Sequence, residues 1–144
     1  MNSFNFNSQV CTDKVQSERL LALGLKKETA DMVHSTIVVL DNLVDLISEH
    51  PWTARQNVTD NWYPAWSLGR LIELMPTTIK SRYGYVNLAV NAELVQYQYY
   101  DEDYMHNECC QHFNDGTLYD NIIDCIEWLI KEGYFNKEYL EEEK

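Results

Sequence analysis

Residues 105–112 read MHNECCQH, and with Asp103 just before them they gather the densest set of chemistry-bearing side chains in the chain. Thiolates, imidazoles and carboxylates are the donors that transition metals take, and a cysteine beside a histidine is the minimum for an activated nucleophile. The spacing decides what these residues can do together. Cys109 and Cys110 are neighbours and diverge in either regular conformation, by opposite faces in a strand and by about 100° in a helix. Asp103, His106, Cys109 and His112 recur every three residues, and they align on one side only in a 3₁₀-like turn, where i and i+3 eclipse. A structural zinc site usually takes its ligands from two separated hands, and here His34 and His50 stand isolated in sequence. The competing expectation is a polar connection between two elements, with one cysteine turned inward as a small apolar residue.

The electrostatics weigh against a cysteine enzyme at this place. Asp101, Glu102, Asp103 and Glu108 surround the thiols with negative charge, which disfavours the thiolate. The same acids lack the Asp-x-Asp-x-Asp-Gly pattern of a calcium loop and read as a solvated run. No Gly-rich phosphate loop and no Ser-His-Asp pattern stands out, so no cofactor is expected.

The elements that must position such residues are legible in part. A helix is expected over about 12–23, with Thr12 as its cap, Gly24 as its left-handed terminator and Leu25 placed to meet Leu20. A second lies in PAWSLGRLIELMP from Pro64, capped by Ser67, stapled by Trp66 and Leu71 and stopped by Pro76. The clearest spans 118–132. Thr117 and Asp120 approximate a capping box, Leu118, Ile122, Ile126, Leu129 and Ile130 form its apolar face, Trp128 flanks it, and Gly133 closes it.

Between the second and third helices, RYGYVNLA and ELVQYQYYD alternate with period two. Folded about Val90–Glu93, they put Leu88 opposite Val95 and Val86 opposite Tyr97. Asn87 then meets Gln96, and Tyr85 meets Gln98, on a mostly polar face. Two strands are marginal, and HSTIVVL (34–40) supplies a third. The segment DNLVDLISEHP after it is expected as a short helix capped by Asp41; the alternatives are one helix over 36–49 or a hairpin turning at Asp41–Asn42. Residues 50–63 read as a loop, 1–10 as loose and the EEEK at 141–144 as a solvated acidic tail. The fold class is therefore α+β: a single domain in which an antiparallel sheet of about three strands carries helices on one face.

Four stretches carry a resemblance. QSERLLALGL from Gln16, TADM from Thr29, PAWSLGRLIELMP from Pro64 and DNIIDCIEWLI from Asp120 resemble a family of small phage- and mobile-element-associated proteins of gut anaerobic bacteria. The resemblance implies a small α+β domain of phage ancestry. It brings no activity and no site residue.

Composition bounds the function. Of 144 residues, 23 are acidic and 11 basic, a net charge of −12. Such a surface repels phosphate backbones and anionic lipid, so direct nucleic-acid or membrane binding is not expected. No basic start with an apolar run opens the sequence and no 18 apolar residues follow one another, which points to the cytoplasm, where the cysteines stay reduced. Tyr83, Tyr85 and Tyr100, with Tyr104 nearby, are expected on the polar side of the hairpin, where they suit a protein partner unless a loop covers them. The leading expectation is a non-enzymatic interaction domain. The alternatives are an acidic mimic of nucleic acid that occupies a basic DNA-handling protein, and a metal-dependent or cysteine enzyme centred on 103–112.

Overall fold

The computed structural model describes residues 8–48, 58, 62–81, 84–101 and 106–142, with the side chains of 37–39, 43–46, 48, 100–101 and 106–110 outside that description. Helix α1 (Lys14–Ala22) starts one residue later than Thr12 would place it. Asp13 is the cap: its carboxylate accepts from the Gln16 amide at 2.8 Å, and the Gln16 side-chain oxygen accepts from the Asp13 amide at 3.0 Å. This reciprocal box satisfies two orphan donors, more than a lone threonine hydroxyl does. Thr12 is instead wholly buried, with its hydroxyl 2.7 Å from that of Ser17 and accepting from the Trp66 amide at 3.1 Å. The other end follows expectation. Gly24 has φ +103°, and the amides of Gly24 and Leu25 return to the carbonyls of Leu21 and Leu20.

A 3₁₀ turn (Lys27–Thr29) leads into strand β1 (Met32–Val39). The segment after it is a strand, β2 (Asn42–Ser48), and not the short helix expected there. Leu40 and Asp41 both have positive φ, 50° and 65°, the mark of a two-residue hairpin turn whose twist matches its strands. Leu, Val and Ile in β2 fit a strand as well as a helix, and the turn decides between them. Strand β3 (Trp62–Ala65) pairs with the first half of β1, giving a three-stranded antiparallel sheet in the order β2-β1-β3. Trp62 and Tyr63, expected in a loop, thus belong to a strand.

Helix α2 (Leu68–Leu74) begins as its sequence indicates, with Ser67 accepting from the Arg70 amide at 3.2 Å. Ser67 is itself held by Asp31, whose two carboxylate oxygens accept from its amide at 2.9 Å and its hydroxyl at 2.5 Å. Then come strands β4 (Thr78–Ser81), β5 (Gly84–Val90), β6 (Val95–Asp101) and β7 (His106–Phe113), which form a second antiparallel sheet in chain order. Helix α3 (Leu118–Glu132) has the bounds its periodicity predicts. Thr117 caps it, and Gly133, at φ +79°, ends it.

Among the described residues there are thus two sheets, of three and four strands, where one sheet of about three was expected; the α+β class stands. The 34–40 segment is a strand, but it does not join the hairpin of residues 84–101. The expected hairpin register also shifts. Leu88 faces Tyr97 and Asn87 faces Gln98, two residues away from the predicted pairing. The cause is the Asn91 side chain, which accepts from the Glu93 amide at 2.9 Å and starts the turn one residue later. A two-residue slip leaves every side chain on its face, so Val86, Val95 and Tyr97 are buried as the alternation requires.

The main core lies where α3 packs on β6 and β7, with α1 and α2 against it. Ile122, Ile126 and Leu129 point inward as expected, joined by Ile123 and Cys125. Trp128 flanks this face among Tyr97, Phe113 and Tyr134, with ring centroids 5.6–6.3 Å away. Trp66, fully buried, belongs to this core, and its indole N–H donates to Thr29 Oγ1 at 2.9 Å. Two further bonds hold residues near the limits of the described part. Tyr119 donates to the Gln9 carbonyl at 3.3 Å, and Glu141 donates its amide to the Gly24 carbonyl at 2.7 Å.

Candidate functional site

The four-stranded sheet has one face under α3 and one, the open face, that no described helix covers. Ile79, Val86, Val95 and Tyr97 point to the covered side and are buried. On the other side the register lines up Thr78 with Asn87, Lys80 with Tyr85, and Gln96 with His112. These side chains bond to one another: Thr78 Oγ1 donates to Asn87 Oδ1 at 2.8 Å, and Gln96 Nε2 donates to Gln98 Oε1 at 2.7 Å. Tyr85, near the start of β5 and beside Lys80, is 67% exposed on this face. Trp62 and Tyr63 do not fold across it. Tyr63 is buried against His34 in the other sheet, and Trp62 is partly exposed there.

Of the other tyrosines expected on this face, Tyr100 lies in β6 with its side chain outside the described part, and Tyr83 and Tyr104 lie outside the described residues. Asp103 does as well. His106, Cys109 and His112 all fall in β7, so the segment read as a polar connection or a 3₁₀ turn is an edge strand. The three-residue eclipse that would align them is not the geometry of that backbone. The strand also carries a bulge: Tyr97 and Gln98 are adjacent on β6 but face Gln111 and Cys109, leaving Cys110 as the extra residue. His112 is exposed on the open face; the side chains of His106 and Cys109 are outside the described part.

A second arrangement brings together residues that no motif connects. His34 and Met32 share one face of β1, and β3 puts Tyr63 and Ala65 beside them. The extended residues before α1 cross this face. They bring Cys11 Sγ to 3.3 Å and the Thr12 carbonyl oxygen to 2.9 Å from His34 Nε2. The His34 ring stacks on Tyr63 with centroids 4.6 Å apart. Cys11 and His34 are 3% and 5% exposed. A carbonyl only accepts, so Nε2 carries a proton and donates it to Thr12. That nitrogen then has no lone pair with which to take the thiol proton, and in this tautomer the pair is not set up as a nucleophile with its base. His34 is therefore not the isolated histidine that its sequence position suggests. A separation of 23 positions from Cys11 hides the pairing; the only signal was Met32 and His34 alternating on one strand face.

The remaining described cysteine is Cys125. Neither it nor Cys11 takes part in a disulfide. Burial, with Asp124 nearby, pushes the Cys125 thiol up to about 12, so it stays protonated and inert. Among the described residues no three of His, Cys, Asp or Glu gather as a metal-binding group, and no helix is long and apolar enough to cross a membrane. Comparison with protein-family models, with curated proteins and with solved structures finds no match to this chain.

Proposed function

We propose that this chain is a non-enzymatic interaction domain of phage or mobile-element origin, which docks a protein partner on the open face of its four-stranded sheet. The observation that carries this reading is Tyr85, two-thirds exposed beside Lys80 on a face that it shares with Asn87, Gln96, Gln98 and His112 and that no described helix covers. Tyrosine supplies contact area at low entropic cost, and side-chain amides around it offer both donors and acceptors. The tautomer of the buried histidine supports the non-enzymatic half of the reading, and the mobile-element half rests on the sequence resemblance.

The test places a photo-crosslinking residue at position 85 and, separately, at Val15, which is exposed on α1. Crosslinking in host cells should give a discrete adduct from position 85 and none from position 15. Tyr85→Glu combined with His112→Glu should abolish capture of the same partner while leaving the melting temperature within a degree or two. Equal adducts from both positions would refute the assignment of the face.

The acidic-mimic reading gains less. Arg19 sits between Asp124 and Glu127 at 2.6 and 2.7 Å, and Lys131 reaches Glu127 at 2.9 Å. Much of the negative charge along α3 is thus already paired within the chain.

A further inference from the structure

Away from the open face, we propose that the cleft between the end of α2 and the segment after α3 binds a small quaternary-ammonium compound. The cleft has a volume of about 240 Å³. That is below the size of pockets that enclose drug-sized molecules, and it suits a single headgroup. The end of α2 contributes apolar walls: Leu74 and Met75, both buried, and Pro76. The segment after α3 contributes two partly buried aromatic rings, Tyr134 and Tyr139. Both rings are held in place. Tyr134 packs on Trp128 with centroids 5.6 Å apart, and Tyr139 meets Phe135 edge to face at 6.1 Å. Asn136, also at the cleft, caps the 3₁₀ turn Lys137–Tyr139 by accepting from the Glu138 amide at 3.0 Å, which fixes where Tyr139 stands.

Charge and wall chemistry choose the ligand. Among the described residues that line the cleft, Glu73 alone is charged, and 73% of its side chain is exposed. Its contact with Arg70 is long, 3.6 Å, and the Arg70 guanidinium also donates to the Thr29 carbonyl at 3.0 Å, so the carboxylate keeps room for a second cation. Lys137 lines a different cleft, with Ile130 and Leu140. The carboxyl end of α2 adds the negative end of a helix dipole. An anion would meet Glu73 in a chain of net charge −12. A bare ammonium or guanidinium surrenders water for N–H bonds, which this cleft answers with one carboxylate against apolar walls. A quaternary ammonium has no N–H to satisfy. Its methyl groups pack on the walls, while tyrosine rings and Glu73 attract its diffuse charge. A lining confined to residues 73–76 and 134–139 is too short a track for an extended peptide, which selects a free small molecule.

The experiment uses the full chain with methyl-labelled methionine, followed by nuclear magnetic resonance. Choline is titrated at constant ionic strength, and in parallel dimethylbutanol, the neutral isostere in which carbon replaces the nitrogen. The Met75 methyl signal should shift saturably with choline while that of Met32, in the other buried cluster, stays in place. The neutral isostere should bind at least about fivefold more weakly. Tyr139→Leu should lower choline affinity by about tenfold and Glu73→Gln by about threefold, whereas Tyr139→Phe, which keeps the ring, should stay within about twofold of the parent. The comparison of the two ligands on the unaltered chain needs no variant to fold. An unmoved Met75 signal, equal affinity for the neutral isostere, or a trimethyllysine peptide bound more tightly than choline would each overturn the proposal, the last by pointing to a protein ligand instead.

Discussion

Thr12 and Asp13 are adjacent, and each does what a sequence reading would give to the other. A threonine before a helix is a plausible cap, but the backbone amide that needs satisfying lies three residues after the cap. From Asp13 that position holds Gln16, which can reciprocate. Thr12 is then free to point inward, where it holds the Trp66 backbone to Ser17. The two substitutions should therefore differ. Asp13→Ala removes a surface cap and should cost ~1 kcal/mol. Thr12→Val leaves the buried Trp66 amide and Ser17 hydroxyl without their partner and should cost ~2 kcal/mol. Urea denaturation of both variants checks the order; Asp13→Ala as the more damaging would contradict it.

At the same scale, acid stability can be assigned. The Gln16 amide, bonded at 2.8 Å, is the main reason the Asp120 carboxyl is held below its ordinary range, and Arg19 is the main reason for Glu127. Both groups have a lower pKa folded than unfolded. Their stabilising effect is therefore present at neutral pH and lost as pH falls through and below the ordinary values of 3.8 and 4.5. Arg19→Met should lower the melting temperature at pH 7 by a small margin, as expected of half-exposed pairs, and the gap to the parent should close below pH 4. A gap that persists unchanged at pH 3 would show that packing of the arginine stem, not its charge, is responsible.

Among the elements, the helices were the legible part. Their signals are local: Ser67 and Thr117 as caps, Pro76 as a stop, Gly24 and Gly133 at positive φ. The strands were legible as alternation but not as partnership, because which strand lies beside which is decided by contacts far apart in sequence. HSTIVVL read as a strand, yet nothing in it says that its neighbours are β2 and β3 rather than the hairpin of residues 84–101. Its turn misled for a specific reason. A two-residue turn with both φ positive favours Asn-Gly, and here Leu40-Asp41 takes it, with Leu40 91% exposed at the tip. The tip residues are therefore suboptimal. Leu40→Asn with Asp41→Gly should stabilise the chain by up to ~1 kcal/mol, read as a raised denaturation midpoint at unchanged slope. A lowered midpoint would mean the leucine makes a contact that matters.

At the scale of the molecule, the described residues form two sheets, and one large buried cluster reaches into both. Val33 from the first sheet, Val86 and Tyr97 from the second, and Trp66 after β3 all belong to one buried cluster. Unfolding should accordingly be a single cooperative transition: far-ultraviolet circular dichroism and the fluorescence lost on Trp66→Phe should report the same midpoint. Two midpoints would mean the three-stranded sheet melts by itself. The candidate sites divide along the same line as the fold. The polar side of the hairpin could be read ahead because it follows from alternation, though whether a loop covers it could not. The Cys11–His34 pair could not, because it exists only once an extended segment and two strands meet.

The Asn91 turn moves the β5–β6 pairing by two places and leaves the protein's inside and outside unchanged. Evolution and engineering should meet the same arithmetic. Length changes between Val90 and Val95 that add or drop an even number of residues are absorbed, whereas a single-residue deletion turns the strand inside out and sets glutamines against α3. The loop is thus permissive in length yet intolerant of parity, and grafts made there should be counted in pairs.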